Sequence, residues 1–216
     1  MVTFGRGKDE MINLPSSIKF RHGYIDMLDN TNKRVLRYNV LDTTAVPSPV
    51  YSFKNYILDF VPVSDTSFAA ISTSPQHTHR IKIYDQSGNI IDTLLPLPKL
   101  KKAIPTDFDV NEVWASLLWF DAKDTLLITA TQNGEVLDFI NLHTKKHQVA
   151  VGAGGKPELD YKGKTITIPG KIVGFSEISA DDQYIYTLFS GISQKDFIWE
   201  NANENYKLQV YDKLGN

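Results

Sequence analysis

Apolar and polar residues alternate in short runs along most of the chain, the period-2 pattern of strands that bury one face. Four of these runs resemble one another, at residues 35–39, 81–85, 136–140 and 208–212. Two continue almost identically, through Tyr84, Asp85, Gly88 and Asn89 and through Tyr211, Asp212, Gly215 and Asn216, where Gly and Asn supply the positive-φ positions of a hairpin turn. Upstream of each lies a second alternating run, at 24–28, 68–72, 126–130 and 184–188. Upstream again lies a third, at 17–20, 57–60, 117–120 and 174–178. Tight polar turns join these two sets, at His22 with Gly23, at Ser64 to Thr66, at Lys123 with Asp124 and at Asp181 with Asp182. The order strand, tight turn, strand, loop, strand therefore recurs four times.

A fourth strand is predicted in three of the units, at 50–53, 90–94 and 148–151. In the last unit the same position falls where the sequence reaches Asn216, and residues 2–4 are a candidate for the missing outer strand. The pattern predicts an all-β fold, a β-propeller of four-stranded antiparallel blades. The units run from 14 to 54, 55 to 95, 113 to 152 and 172 to 216, as a single propeller domain or part of a larger ring. Matching third strands start at Val35, Ile81, Val136 and Leu208, spacings of 46, 55 and 72 residues, against about 40 to 50 for familiar blade repeats. The excess lies in insertions at 95–112, 152–171 and 190–207, all of them second-to-third or blade-to-blade connections. Alternating strand direction gathers these on one face and leaves tight turns on the other, the layout of a scaffold that carries a site on its loops.

Composition narrows the possible partners. The chain has 216 residues, a formal net charge of -2 and 22% charged residues, with no basic field to draw nucleic acid. Cysteine is absent, which removes disulfides, thiol catalysis and Cys-ligated zinc. No run approaches the ~18 apolar residues of a membrane-spanning helix, and the first ten residues lack the apolar core of a secretory signal.

One segment resembles a known family. Gly5, Arg6 and Gly7 with Glu10, followed by Leu14 to Ile18, Gly23 to Asp29 and Lys33 to Tyr38, are similar to a blade of the NHL-like and TolB-like propellers. The Gly-Arg-Gly…Glu stretch resembles that of the TolB-like six-bladed family common in Bacteroidetes, with Lys8 and Asp9 where the family has Pro and Gly. The resemblance implies a six-bladed ring, of which four blades are present here, and a periplasmic or cell-surface address. It carries over no catalytic residue.

Candidate chemistry is sparse. His77 and His79 sit on one side of an extended segment, a spacing that holds a metal when a third ligand converges; without one they read as a solvated loop beside Arg80, and no metal or cofactor is expected. Lys99, Lys101 and Lys102 form a small basic cluster able to meet an anionic ligand, against the ordinary reading of a solvated loop. Phe197 and Trp199 lie in a polar insertion outside the strand pattern, where aromatics stack on a sugar, anchor a partner, or cover a blade edge. His143 and His147 flank a predicted exposed turn. Residues 152–156, rich in Gly, lack the spacing of a phosphate loop and read as the flexible start of a connection. Trp114, Trp119, Phe120 and Phe108 read as core, and the aspartates at strand ends as acceptors of turn amides.

These observations point to a non-enzymatic binding module whose loop-rich face takes a carbohydrate, peptide or protein. The alternatives are a glycan or lactone hydrolase with its site at the channel mouth, and a structural fragment without independent function. Open propeller edges are expected to self-associate.

Overall fold

In the computed structural model the described residues are 15–42, 44, 46–73, 78–98, 110–158, 160–162, 165–167, 172–193 and 206–215. Within them every predicted blade strand forms to within two residues of its expected bounds; residues 2–4 lie outside. The chain divides into two compact units, Met1–Pro96 and Leu97–Asn216, and each holds two blades.

In the first unit, β1 (Ile18–Arg21), β2 (Tyr24–Asp29), β3 (Arg34–Asn39) and β4 (Ser48–Ser52) make one antiparallel sheet in sequence order. A second follows the same order with β5 (Tyr56–Pro62), β6 (Ser67–Thr73), β7 (His79–Asp85) and β8 (Ile90–Pro96). In the second unit, a one-turn helix α1 (Val110–Val113) precedes the third sheet, β9 (Ser116–Asp121), β10 (Leu126–Thr131), β11 (Val136–Asn141) and β12 (His147–Val151). The insertion at 152–171 is more than a loop, because β13 (Asp160–Lys162) and β14 (Thr165–Thr167) pair there as a short hairpin. The last sheet is β15 (Phe175–Ala180), β16 (Tyr184–Phe189) and β17 (Lys207–Asp212), three-stranded among the described residues.

Burial follows strand position. In the first three sheets the second and third strands are the most buried, as in β6 and β7, whose central residues are all buried, whereas the outer strands β4, β8 and β12 are largely exposed, as is β17, the third strand of the last sheet. Between the two sheets of the first unit, Leu28 and Val35 meet Ile57, Phe60 and Phe68. Phe68 is centred there, its ring 4.9 Å from Tyr51 and 5.1 Å from Tyr84. Fully burying one such side chain is worth about 1.5–3 kcal/mol. The second unit has a matching core, with Leu137 and Phe139 of one sheet against Phe175, Ile185 and Phe189 of the other.

Turn chemistry repeats with the blades. At the tight turn of the first sheet His22 and Gly23 take φ of 48° and 80°, the consecutive left-handed pair that suits a two-residue hairpin. Each third strand ends in Asn or Asp at one register position, Asn39, Asp85, Asn141 and Asp212, and each side chain accepts an amide of the following turn. Asp85 illustrates the effect: the bonds from Asn89 and Ser87 hold its carboxyl below the usual carboxylate range.

A second register position behaves in the opposite way. Counted back from those turns, Leu36, Lys82, Asp138 and Gln209 occupy equivalent places, opposite Met27, Ala70, Thr129 and Thr187. Leu36 packs on Met27. Lys82, buried, donates to Ser72 at 3.1 Å, whose hydroxyl also bonds Tyr84. Asp138, buried, accepts Thr129 Oγ1 and pairs with His147 Nε2, both at 2.9 Å. His147 is exposed, as its sequence context suggests, and is also tied to the sheet through Asp138.

Asp26 and Arg37 form a further polar pair in the first sheet. The guanidinium donates through Nε and Nη2 at 2.7 and 2.8 Å to the two carboxylate oxygens. Its flat face lies 5.4 Å from the Tyr24 ring and 5.9 Å from the Tyr51 ring. Bonding to Asp26 outweighs burial and raises the Arg37 pKa above its ordinary value.

Candidate functional site

The sheet ends that carry the insertions are best defined in the second unit. There the connection after β10, at Gln132 to Glu135, meets the segment after β12, at Gly152 to Pro157, and the strand-like stretches 172–174 and 190–193. Backbone bonds fasten all four together: Gly134 N to Ile172 O at 3.0 Å, Glu135 N to Gly155 O at 2.7 Å, Gly174 N to Gln132 O at 2.9 Å and Ser190 N to Gly174 O at 3.0 Å. Bridges between Asn133 and Val173 and between Ile172 and Ser193 extend the weave. Asn133 also donates at 3.1 Å to the carbonyl of Val113, at the end of α1.

Glycine is required at the crossings. A Cβ on Gly174 would lie 2.4 Å from the carbonyl oxygens of Gly134 and Thr131, and Gly134 itself sits at φ +71° against Gly155 O. In the Gly-rich stretch after β12, a Cβ on Gly152 or Gly154 would run into the Glu135 side chain, while Gly155 stands in open space at φ +70°.

Glu135 stands at the middle, 8% exposed. Its Oε2 accepts the Gly154 amide at 2.7 Å, and its Oε1 accepts Gln209 Nε2 at 2.8 Å. Gln209 in turn accepts from the Tyr211 hydroxyl at 2.7 Å. Burial, and then the charge of Glu135, push the Tyr211 hydroxyl above its ordinary pKa. With donors on both oxygens the carboxylate works as a clasp: it joins the third and fourth sheets of this unit at the roots of the insertions.

In the first unit the corresponding ends are shorter. Asp29 caps the β2–β3 turn by accepting Asn32 and Arg34, and Asn30 exchanges two bonds of 2.8 and 2.9 Å with the backbone of Ile57. His79 begins β7, half-buried, with Nδ1 at 2.9 Å from Thr78 Oγ1. His77, Lys101, Lys102, Phe197 and Trp199 lie outside the described residues, as do Lys99 and Phe108. Among the described residues no group of three His, Cys, Asp or Glu is placed to hold a metal, and no helix is long and apolar enough to cross a membrane.

Sequence reasoning missed Glu135, Gln209 and Gly154. For Gln209 the signal available was the register position shared by Leu36, Lys82, Asp138 and Gln209, three times polar on a third strand. Trp119 packs against the core cluster as expected. The aspartates at strand ends accept turn amides at Asp29, Asp85, Asp121 and Asp212. Asp59 differs, because it binds Ser17 and Lys19 of the neighbouring sheet instead.

Repeated four-stranded antiparallel meanders, packed face to face in pairs within each unit, define the chain as a β-propeller protein. More narrowly, it belongs to the TolB-like 6-blade propeller-like family, whose model matches residues 1–216. A search of curated proteins finds no match. Similar solved structures include the Cps50 (Swd1) β-propeller domain of Myceliophteria thermophila, at 15% identity and TM-score 0.44, with 91% of this chain and 57% of that one covered. The tricorn protease is similar at 14% identity and TM-score 0.44, over 92% of this chain and 16% of that one. A Bacteroides fragilis protein inferred to be exported is similar at 14% identity and TM-score 0.38, over 98% and 80%. The chain thus spans little more than half of the first of these and a sixth of the second.

Proposed function

We propose that this protein is a non-enzymatic recognition module that takes a carbohydrate, peptide or protein on its loop-bearing sheet ends, outside the cytoplasm. The observation that carries this reading is the clasp at Glu135. A buried carboxylate, a ladder of backbone bonds and glycines packed without room for a Cβ hold the roots of the 95–112, 152–171 and 190–207 insertions at fixed spacing. Recognition surfaces are most effective when variable segments leave a rigid base, because ordering costs on binding then fall. Within those insertions Phe197 and Trp199 are aromatic anchors and Lys101 and Lys102 are cationic contacts; His79 borders the same ends in the first unit. The envelope address rests on the family to which the chain belongs.

The test presents the full chain to a glycan array and to a peptide library, with Trp199→Ala, Phe197→Ala and Lys101→Ala/Lys102→Ala variants alongside. The expected result is a ligand retained by the parent chain and weakened at least tenfold by the aromatic or basic substitutions, with unchanged circular dichroism. A ligand indifferent to all of them refutes the loop-face reading. Turnover of a captured glycan or lactone replaces it with the hydrolase alternative.

A further inference from the structure

Asn133 and Gly134 are the only Asn-Gly pair in the sequence. Such a pair is open to self-modification, because the amide nitrogen of a residue without a Cβ reaches the preceding carboxamide with little hindrance. Both members are demanded by the weave at the sheet ends. Gly134 stands at φ +71°, where a Cβ would lie 2.6 Å from Gly155 O. Asn133 supplies the side-chain amide that meets the carbonyls of Val113 and Glu112 at 3.1 and 3.4 Å, at the end of α1. The same contacts restrain the pair. The nitrogen that would react, Gly134 N, donates to Ile172 O at 3.0 Å, and Asn133 is bridged to Val173. Its carboxamide is engaged with α1, and Gly134 is buried.

We propose that Asn133 is a latent covalent modification site, preserved while the weave is closed, converted when it opens, and unable to close normally once converted. In the open state Gly134 N gives up its proton to solvent and attacks Asn133 Cγ. The N–Cγ bond forms, the Cγ–Nδ2 bond breaks, and the side-chain nitrogen takes a proton back and leaves as ammonia. Water then adds to the cyclic imide and opens it to aspartate or isoaspartate. Aspartate sets a carboxylate oxygen where a donor met Val113 O and Glu112 O, so acceptor faces acceptor. It also places a charge two residues from the buried Glu135 carboxylate. Isoaspartate lengthens the main chain by a methylene ahead of Gly134, which takes its amide out of register with Ile172 O. A brief opening is thereby recorded as a lasting loosening at the roots of the insertions.

The full chain, held in warm, mildly alkaline buffer with and without urea, tests this. Conversion is followed by mass spectrometry on the tryptic peptide Asp124–Lys145, with enzymatic methylation to detect isoaspartate; Asn141, followed by Leu142 in the same peptide, is the internal control. A reaction gated by local opening follows the population of the open form, so Asn133 is expected to convert at least about tenfold more slowly folded than in unfolding urea. Gly174→Ala crowds the crossing without altering the reacting pair, and is expected to speed conversion several-fold with unchanged circular dichroism. Asn133→Asp, the product written into the chain, is expected to lose exchange protection in α1 and at Gly134 and Gly174 while β11 keeps its own. Equal rates in the folded and unfolded chain overturn the proposal, as does a rate unmoved by Gly174→Ala. If that variant does not fold, urea below the parent chain's unfolding midpoint takes its place, and a flat rate there is equally fatal. Parent-like protection in Asn133→Asp overturns the failure to reclose.

Discussion

Removing the Asp26 carboxylate should be among the most damaging single changes in the first unit. Asp26 is 0% exposed and accepts two short bonds from one guanidinium, and the Arg37 side chain is 17% exposed between two tyrosine rings. Asp26→Ala leaves that cation inside the sheet with neither partner oxygen, and breaking a buried pair from one side costs about 3–5 kcal/mol. The Tyr24 and Tyr51 faces offset a part of this, about 0.5–1 kcal/mol each. A net loss of about 3 kcal/mol is expected. With a urea slope of about 1–3 kcal/mol/M, the midpoint should fall by on the order of 1–3 M. The assay is urea unfolding by far-ultraviolet circular dichroism, with hydrogen exchange on the peptide spanning β2 and β3 to localise the effect. All three tryptophans, Trp114, Trp119 and Trp199, lie in the second unit, so their fluorescence follows that unit separately. The companion variant Asp26→Leu/Arg37→Leu should recover most of the loss, since apolar replacement of a whole buried pair is often neutral or better. A cost below about 1 kcal/mol for Asp26→Ala, the range of an exposed ion pair, would refute the reasoning. A double variant as unstable as the single would do the same.

Three further outcomes are expected. Gly174→Ala, which drives a methyl to 2.4 Å from two carbonyl oxygens, should cost about 1–3 kcal/mol and lower the thermal midpoint of the second unit; an unchanged midpoint contradicts the close approach. Glu135→Ala leaves the Gly154 amide and the Gln209 side chain without their acceptor, at about 1–3 kcal/mol, and exchange protection should fall across 152–158 more than in β9 to β11. Lys213 bonds Asp121 and Asp124. Burial, the largest single influence, would raise the Asp121 carboxyl, but the bond from the Lys213 ammonium, the amides of Lys123 and Asp124 and the Lys213 charge together outweigh it and hold the group below the usual carboxylate range. That carboxyl titrates lower folded than unfolded, so its contribution is complete above about pH 4 and is lost as pH falls through the folded value. Stability measured from pH 7 down to 2 should therefore show an acid-side decline that Lys213→Met flattens, and an identical slope in the variant refutes the linkage.

The blade strands were legible because their alternation is uninterrupted and their turns carry Asp, Asn and Gly at fixed offsets, as at Asp85, Gly88 and Asn89. The outer strands were readable for the same reason, although their exposure makes their apolar residues weaker signals. The hairpin at 160–167 was not legible. Its strands are three residues each, shorter than an alternation pattern can mark. The clasp was hidden for a different reason: Glu135 and Gln209 are 74 residues apart, and only the sheet register brings them together. His147 looked like one more polar residue in a Lys-rich turn, since its tie to Asp138 depends on a cross-strand neighbour that local composition does not reveal. The candidate ligand contacts were chosen by residue type within insertions, where no periodicity constrains the chain.

The position shared by Leu36, Lys82, Asp138 and Gln209 has a consequence for how such a chain reaches its fold. Repeats with similar strands are prone to dock on the wrong neighbour while folding, a characteristic failure of repeat proteins. Here each sheet carries a different group at that one position: a branched alkyl, an ammonium, a carboxylate and an amide. The first three meet side chains of their own sheets, at Met27, Ser72 and Thr129, whereas Gln209 reaches across to Glu135 of the preceding sheet. Docked on any other neighbour, Gln209 would lose its acceptor and Glu135 a donor, so this one pair marks the correct partner during assembly. Moving the last blade by recombination should then succeed only when Glu135 travels with it.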